Sequence, residues 1–376
     1  MNSIEKLTVD AIAYGGEAVG RLSSGEVCFL RGALPGEEVE LAVTERKKRF
    51  SRGEVLKRLS TSPHRIAPAC PLALKCPGCS FQHCTYELEL EWKQKQFERF
   101  LKGFPGERAP IFPSPERFFW RNRLKLACEK GAAGYRGFDN KTLLPVSRCL
   151  LAKESINKAL AAAAIPEEGT LFFRSTPEWT GEVTALESEL LTETLPGAGT
   201  FKVPAKGFFQ TNIPVASELC SRVVRTLQDL KVAKMLELFC GVGVFSIAAA
   251  QQIANIECFG IELAANSIEA AKVNAHINGV EKRCSFLAGD ASLFNSKSKY
   301  ECLLVDPPRN GLESKVIKKI LKSGIPHLIY ISCGPDTLRR DLALLAEKYE
   351  VKSAGALDMF PCTAHFETFI ILSLLK

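Results

Sequence analysis

Two periods of apolar spacing divide this chain. From residue 4 to about residue 58 the runs are short and alternating, as in Lys6-Leu7-Thr8-Val9, Glu26-Val27-Cys28-Phe29-Leu30 and Glu38-Val39-Glu40-Leu41-Ala42-Val43. Gly-rich turns at Tyr14-Gly15-Gly16 and Pro35-Gly36 separate them. Short strands with frequent turns predict a small β-barrel. A stretch from 59 to 85 with four prolines and four cysteines reads as a loop that something must hold together. Tyr86 to Lys102 then reads as an amphipathic helix, with Leu88, Trp92, Phe97 and Leu101 on its apolar side. Mixed strands and a helix around Ala152–Ala164 follow, up to about residue 205.

From 206 onward the period changes. Strand runs at Met235–Leu238, Glu257–Ile261, Cys284–Leu287, Cys302–Val305 and Leu328–Ser332 alternate with helical patterns at Val244–Gln251, Ala264–Ile277, Ser314–Ser323 and Thr337–Tyr349. That alternation predicts an α/β, doubly wound, mostly parallel sheet with helices on both faces, and Phe366–Leu374 reads as a closing strand. The expected organisation is a barrel over 1–60, a mixed α+β central domain over 61–205 and the α/β domain over 206–376.

The length of 376 residues suits two or three domains. No apolar run approaches the roughly 18 to 20 residues that span a bilayer. Met1–Lys6 lacks the charged-then-apolar order of a secretory signal, so the expectation is a cytoplasmic protein without a membrane partner. A formal charge of +7 favours a polyanionic partner. The basic residues concentrate in Arg46-Lys47-Lys48-Arg49 with Arg52, Lys57 and Arg58, and in Arg117, Arg121, Arg123 and Lys125. Each cluster borders an aromatic (Phe50; Phe118, Phe119, Trp120), and charge beside stacking faces is what single-stranded RNA binding uses. A solvated surface is the bland alternative.

Candidate chemistry gathers at the ends of the expected parallel strands. Phe239-Cys240-Gly241-Val242-Gly243 follows the first strand and opens a helix, where glycines let a ligand approach the backbone. Glu262, about twenty residues on, can bind two ribose hydroxyls, and Asp290 after the third strand can receive an adenine amino group. The pattern fits NAD or S-adenosylmethionine; Ser246 in place of a third glycine favours the latter. Asp306-Pro307-Pro308-Arg309 ends the fourth strand and Cys333 the fifth, on the same edge. A thiolate there can add to an electron-poor ring, and a downstream Glu367 or His365, two residues apart in the closing strand, can remove a proton. Upstream, Cys70-x5-Cys76-x2-Cys79 is a tight thiolate set that His83 and Cys84 can complete as a zinc site; spacing alone does not separate zinc from an iron–sulfur cluster.

With these segments in view, the chain resembles the bacterial S-adenosylmethionine-dependent RNA 5-methyluridine methyltransferases over essentially its whole length. The matching segments are Phe208-Phe209-Gln210-Thr211-Asn212, Leu238-Phe239-Cys240-Gly241-Val242-Gly243, Asp306-Pro307-Pro308-Arg309-Asn310-Gly311-Leu312, Ile331-Ser332-Cys333-Gly334-Pro335-Asp336-Thr337-Leu338, and Asp358-Met359-Phe360-Pro361 with His365 and Glu367. The resemblance implies a Rossmann-like methyltransferase sheet with an antiparallel last strand, and a TRAM barrel of the oligonucleotide-binding type. It implies Cys333 as nucleophile, Glu367 as general base, and Gln210, Phe239, Glu262, Asp290 and Asp306 around cofactor and target base. It also implies Cys149 as the fourth ligand, with Cys70, Cys76 and Cys79, of a [4Fe–4S] cluster. The expected activity is methylation of C5 of one uridine in structured RNA, 23S ribosomal RNA before tRNA, by a monomer. A non-catalytic RNA-binding protein with a decayed transferase domain and an NAD-dependent oxidoreductase are the competing readings. Gly334, where the family is expected to carry Asn, and Val244, where a polar residue is common, depart from the pattern.

Overall fold

The computed structural model describes residues 4–183 and 189–375, so the first three positions of the segment read for a leader lie outside the described residues. Five strands close the N-terminal barrel: β1 (Ile4–Ile12), β2 (Ala18–Arg21), β3 (Val27–Leu30), β4 (Glu38–Arg46) and β5 (Ser51–Arg58), in the order β1-β2-β3-β5-β4. Alternation turns Leu7, Val9, Cys28, Leu30, Val39, Leu41 and Val43 inward to make its core. Closure needs small residues where strands cross. A Cβ on Gly53 would stand 2.4 Å from Leu41 Cδ1. The basic segment that ends the barrel is its fifth strand.

Beyond the cysteine loop comes α1 (Tyr86–Phe100), then β6 (Glu107–Arg108). A five-stranded sheet follows, from β7 (Arg123–Glu129), β8 (Ala132–Arg136), β9 (Leu143–Pro145), β10 (Glu168–Ser175) and β11 (Thr180–Glu182), with α2 (Glu154–Ala162) packed on it. The strands β12 (Leu190–Leu195) and β13 (Gly199–Pro204) form a separate hairpin.

The C-terminal part runs α3 (Ile213–Asp229), β14 (Lys234–Leu238), α4 (Val244–Gln252), β15 (Glu257–Glu262), α5 (Ala265–Ile277), β16 (Cys284–Ala288), β17 (Cys302–Val305), α6 (Ser314–Ser323), β18 (His327–Ser332), α7 (Pro335–Leu345), β19 (Tyr349–Leu357) and β20 (Glu367–Leu374). These strands and β6 make one sheet in the order β16-β15-β14-β17-β18-β20-β19-β6. Strands β14 to β18 are parallel and β20 is antiparallel to both neighbours. One face is covered by α3, α4 and α5, the other by α1, α6 and α7. The doubly wound expectation holds, and the strand order reverses between β14 and β17, where such sheets bind ligands.

Two elements differ from the sequence reading. The helix expected over Thr337–Tyr349 starts earlier and ends at Leu345, because Tyr349 opens β19, an edge-side strand whose buried run reaches Leu357. His365 lies in the turn before β20 and not on that strand with Glu367. The two-residue spacing along a strand therefore does not bring them together. Among the described residues no helix is long and apolar enough to cross a membrane.

Candidate active site

The Phe239–Gly243 loop wraps the carboxyl end of β14. Phe239 and Cys240 both donate their backbone N–H to Ile261 O, at 2.8 and 3.2 Å, which holds the loop against β15. Phe239, Gly241 and Gly243 have positive φ. Gly243 must be glycine for space as well, since a Cβ there would meet Phe286 Cζ at 2.7 Å. The carboxylate of Glu262 accepts from Gly241 N at 3.2 Å and Ala264 N at 3.0 Å, so it belongs to the loop structurally while half-exposed.

A cleft of about 480 Å³ opens beside this loop, lined by Gln210, Phe239, Gly241, Val244, Phe245 and Asp306 among others. Phe208, 66 % exposed, stands at its rim. Three of the five expected cofactor residues, Gln210, Phe239 and Asp306, thus share one wall. Glu262 adjoins the loop, whereas Asp290 is engaged elsewhere. Its carboxylate caps a short 3-10 turn, accepting from Ser292 N at 2.8 Å, and pairs with Lys315 Nζ at 2.9 Å. Hydrogen bonds from the Ser292 hydroxyl, then from Lys315 and Ser292 N, hold its pKa well below the usual carboxylate range.

Sequence reasoning missed Glu237, whose side chain also lines the cleft. It is buried and accepts from Ser246 N at 3.0 Å and from Ser246 Oγ, and burial pushes its carboxyl up to about 8. A glutamate inside an otherwise apolar strand was the available signal. Asp306 is likewise pushed up to about 7 by burial.

Cys333 and Glu367 come from strands that are distant in sequence but adjacent in the sheet. Ser332 pairs with Thr368 in the antiparallel β18–β20 ladder, and one more step of that register sets Cys333 opposite Glu367. Burial raises the Cys333 thiol to about 11, with Glu367 and Asp306 adding to it and the Arg309 guanidinium working against it. Glu367 is buried, and burial followed by the charge of Asp306 raises its carboxyl well above the usual range. Among the described residues its Oε1 has no hydrogen-bond partner. A buried carboxyl oxygen without a partner is costly to fold and is a mark of a site that receives a ligand.

The turn carrying His365 is held by a buried ion network that the sequence did not suggest. Lys93 Nζ donates to Glu89 Oε1 at 2.7 Å, Asp358 Oδ1 at 2.6 Å and Phe360 O at 3.2 Å. Arg117 pairs with Glu89 at 3.0 Å and also donates to Phe81 O and Cys84 O. Arg117 is therefore internal architecture and not part of a basic RNA-facing cluster.

Cys70, Cys76, Cys79 and Cys149 line a single cavity of about 340 Å³ with Gln82 and Tyr135. Gln82 Nε2 donates to Cys79 Sγ at 3.2 Å, Gly78 N to Cys76 Sγ at 3.4 Å and Tyr135 OH to Cys149 Sγ at 3.7 Å. Cys84 is turned away, its thiol donating to Phe81 O at 3.3 Å, and His83 does not line the cavity. Among the described residues no three of His, Cys, Asp or Glu converge as ligands of a metal ion.

Fold and site together define a two-part enzyme, in which a nucleotide-cofactor sheet of the methyltransferase type is joined to an N-terminal barrel. A family model described as tRNA (Uracil-5-)-methyltransferase matches residues 179–287 and 290–374, and a TRAM domain model matches residues 2–56. The chain belongs to the tRNA (uracil-5-)-methyltransferase family and carries a TRAM domain; it is an RNA uracil-5-methyltransferase. It is 30 % identical to an uncharacterized RNA methyltransferase of Aquifex aeolicus (strain VF5), covering 98 % of both chains. It is 29 % identical to the 23S rRNA (uracil(1939)-C(5))-methyltransferase of Neisseria lactamica (strain 020-06), over 98 % of this chain and 95 % of that one. In fold it is similar to the Pyrococcus abyssi tRNA (uracil-54, C5)-methyltransferase solved with S-adenosyl-L-homocysteine, with TM-score 0.74, 24 % identity and coverage of 97 % and 99 %.

Proposed function

We propose that this enzyme methylates C5 of a uridine in 23S ribosomal RNA through a covalent adduct on Cys333, with Glu367 as the base. The observation that carries this reading is that Cys333 and Glu367 flank the last pair of the β18–β20 ladder, Ser332 with Thr368, the Glu367 carboxyl being buried with one oxygen unpartnered among the described residues. S-adenosylmethionine would supply an electrophilic sulfonium methyl when bound, and Gln210, Phe239, Glu262 and Asp306, with Asp290, would hold it. Cys333, as thiolate, adds to C6 of the uracil and makes C5 nucleophilic. C5 would take the methyl group as the S–CH3 bond breaks and its electron pair stays on sulfur, releasing S-adenosylhomocysteine; Glu367 then removes the C5 proton, and the electron pair of that C–H bond expels the thiolate. A carboxyl held above its ordinary range is the stronger base once ionised. Arg309 favours the Cys333 thiolate over the thiol.

The target base must leave its stack to reach Cys333. A groove on the barrel, lined by Phe29, Arg31, Arg52, Lys57 and Arg58 together with Glu17 and Glu54, supports RNA docking through Lys57 and Arg58, since Arg31 and Arg52 pair with Glu17. The preference for ribosomal RNA is supported by the relative from Neisseria lactamica, named for that substrate.

Cys70, Cys76, Cys79 and Cys149 would hold a [4Fe–4S] cluster. They line one cavity, and N–H and O–H donors point at three of the sulfurs, as such a cluster's sulfurs accept. Bound there, it would tie the Pro-rich loop to the central sheet.

The test is nucleoside mass spectrometry after incubation with labelled S-adenosylmethionine and unmodified ribosomal RNA or tRNA in separate reactions. Labelled 5-methyluridine in ribosomal RNA, absent with Cys333→Ala, is the expected result. Label in tRNA alone overturns the substrate, and product from Cys333→Ala overturns the covalent mechanism.

A further inference from the structure

The turn between β1 and β2 of the barrel leaves Gly15 exposed but is otherwise tied into the molecule. It is clamped between α1, the cysteine loop and the turn that precedes Glu367. Gln96 Nε2 donates to Ile12 O at 3.0 Å and Ser80 Oγ to Gly15 O at 3.4 Å. Gly16 packs so closely on the cysteine loop that a Cβ would stand 2.5 Å from Ser80 Cβ. From this turn Tyr14 reaches across to the transferase domain. Its ring meets Phe100 edge-on at 5.2 Å and Phe366, the residue before Glu367, at 6.3 Å. Its hydroxyl lies 3.4 Å from His365 Nδ1, across 351 residues of sequence.

We propose that Tyr14 is a positioning residue of the transferase site, its hydroxyl holding the His365 imidazole so that Nε2–H is offered to a carbonyl oxygen of the target uracil. The inference rests on the reading of Cys333 as the uridine nucleophile. Three observations support it. First, the phenol sits within the electrostatic reach of Arg309, Asp336, Cys333 and Glu367, the groups of the reacting edge. Second, both partners are neutral at working pH. Burial pushes the Tyr14 hydroxyl up to about 12. Burial first, then Arg309, pushes His365 down to about 4. A neutral imidazole carries one N–H, and a phenol donating to Nδ1 places that proton on Nε2. Third, the His365 ring is braced on its other side. It meets Phe360 at 6.5 Å, and its own backbone N–H donates to Thr363 Oγ1 at 3.1 Å.

The chemistry gives this donor a task. When a thiolate adds to C6 of uracil, negative charge moves through C5 onto the O4 carbonyl. A fixed neutral donor at that oxygen stabilises the charge where it develops, while an ammonium or guanidinium there would also attract phosphate. A distance of 3.4 Å is long for such a hydrogen bond, as is common before substrate closes a site. The RNA-docking barrel and the reacting edge are thereby joined through one side chain, so that a uridine is held correctly only when the barrel turn is seated.

The test uses the full-length enzyme and RNA, comparing wild type, Tyr14→Phe, His365→Gln and the double variant. Tyr14→Phe keeps the ring and its packing and loses only the hydroxyl, so its melting temperature and S-adenosylmethionine affinity are expected to match wild type. Its kcat for 5-methyluridine formation is expected to fall about tenfold, the scale of one lost hydrogen bond, with KM for RNA changed less than about twofold. In the His365→Gln background, removing the Tyr14 hydroxyl is expected to cost nothing further. A Tyr14→Phe enzyme with wild-type kcat, or a double variant in which the two losses multiply, overturns the proposal. Wild-type enzyme that forms no 5-methyluridine in either RNA overturns the underlying functional reading and this inference with it.

Discussion

Lys93 Nζ donates to Asp358 Oδ1 at 2.6 Å across 265 residues of sequence, and both side chains are all but inaccessible to water. Lys93 belongs to α1 and Asp358 to the turn that leads to His365 and Glu367, so this one bond joins the central segment to the reacting edge. The same turn is gripped again at Cys362, whose N–H donates to Glu89 Oε1 at 2.7 Å and whose carbonyl accepts from Ser80 and Phe81 of the cysteine loop. Four buried charges (Glu89, Lys93, Arg117, Asp358) sum to zero, which is the condition for keeping them away from solvent.

Lys93→Met is therefore expected to destabilise strongly. It leaves two carboxylates facing a single cation, and breaking a buried pair costs about 3–5 kcal/mol. Denaturant unfolding with a fixed m-value reads the loss directly. A midpoint within error of wild type would mean that the network contributes no net stability.

The buried carboxyls set the pH response of stability. Glu237 rises from 4.5 to about 8 on folding and Asp306 from 3.8 to about 7. The folded state binds these protons more tightly than the unfolded chain, so their contribution is full below the unfolded values and is lost as pH rises through about 7 to 8. Melting temperature of the ligand-free protein is expected to fall between about pH 5 and about pH 9, and Glu237→Gln is expected to flatten that slope. A slope of opposite sign, or one untouched by the substitution, would remove burial of Glu237 as its origin.

Much of this was legible in the sequence, and the failures have physical causes. The parallel sheet was visible because strands buried on both faces, such as Cys302–Val305, read as unbroken apolar runs. Cys333 and Glu367 were visible as candidate reacting groups, but not their juxtaposition, which depends on strand register. Strand β5 fell inside the expected barrel although its outward residues Arg52, Lys57 and Arg58 make its own alternation faint. Tyr14 and Lys93 could not be found at all. Each acts through a partner more than 260 positions away, and no local period records such a contact.

Glu367→Gln should separate the two halves of the reaction. The thiolate can still add and the methyl group can still transfer, but without a base the C5 proton stays and the thiol is not expelled. A covalent protein–RNA complex that survives denaturing electrophoresis is the expected outcome, with the methyl label in the slow band. Absence of that band in Glu367→Gln, together with free methylated RNA, would assign the base elsewhere.

The cysteine set is tested by its metal. Protein prepared without oxygen is expected to be brown and to contain iron and acid-labile sulfide in equal amounts; Cys79→Ser should lose both. Because Ser80 and Phe81 hold Cys362, the same substitution should lower turnover without touching any reacting group. Zinc in place of iron would sink the cluster assignment, and full turnover in Cys79→Ser would sever the link to the active-site turn.

Gly334 follows Cys333 and makes room for the loop that carries Arg309. A Cβ there would stand 2.8 Å from Thr337 Oγ1 and 3.1 Å from Arg309 O, while Thr337 Oγ1 itself donates to Arg309 O at 3.0 Å. Gly334→Ala therefore pushes directly on the peptide that positions the guanidinium. Since Arg309 is the group that opposes the upward shift of the Cys333 thiol, displacing it leaves burial and the neighbouring carboxylates to act alone. The expected result is a Cys333 alkylation profile moved to higher pH, followed on its own peptide by mass spectrometry, with turnover reduced in parallel. If the profile and turnover of Gly334→Ala both coincide with wild type, the loop accommodates the extra methyl group and Arg309 does not tune the nucleophile through this contact.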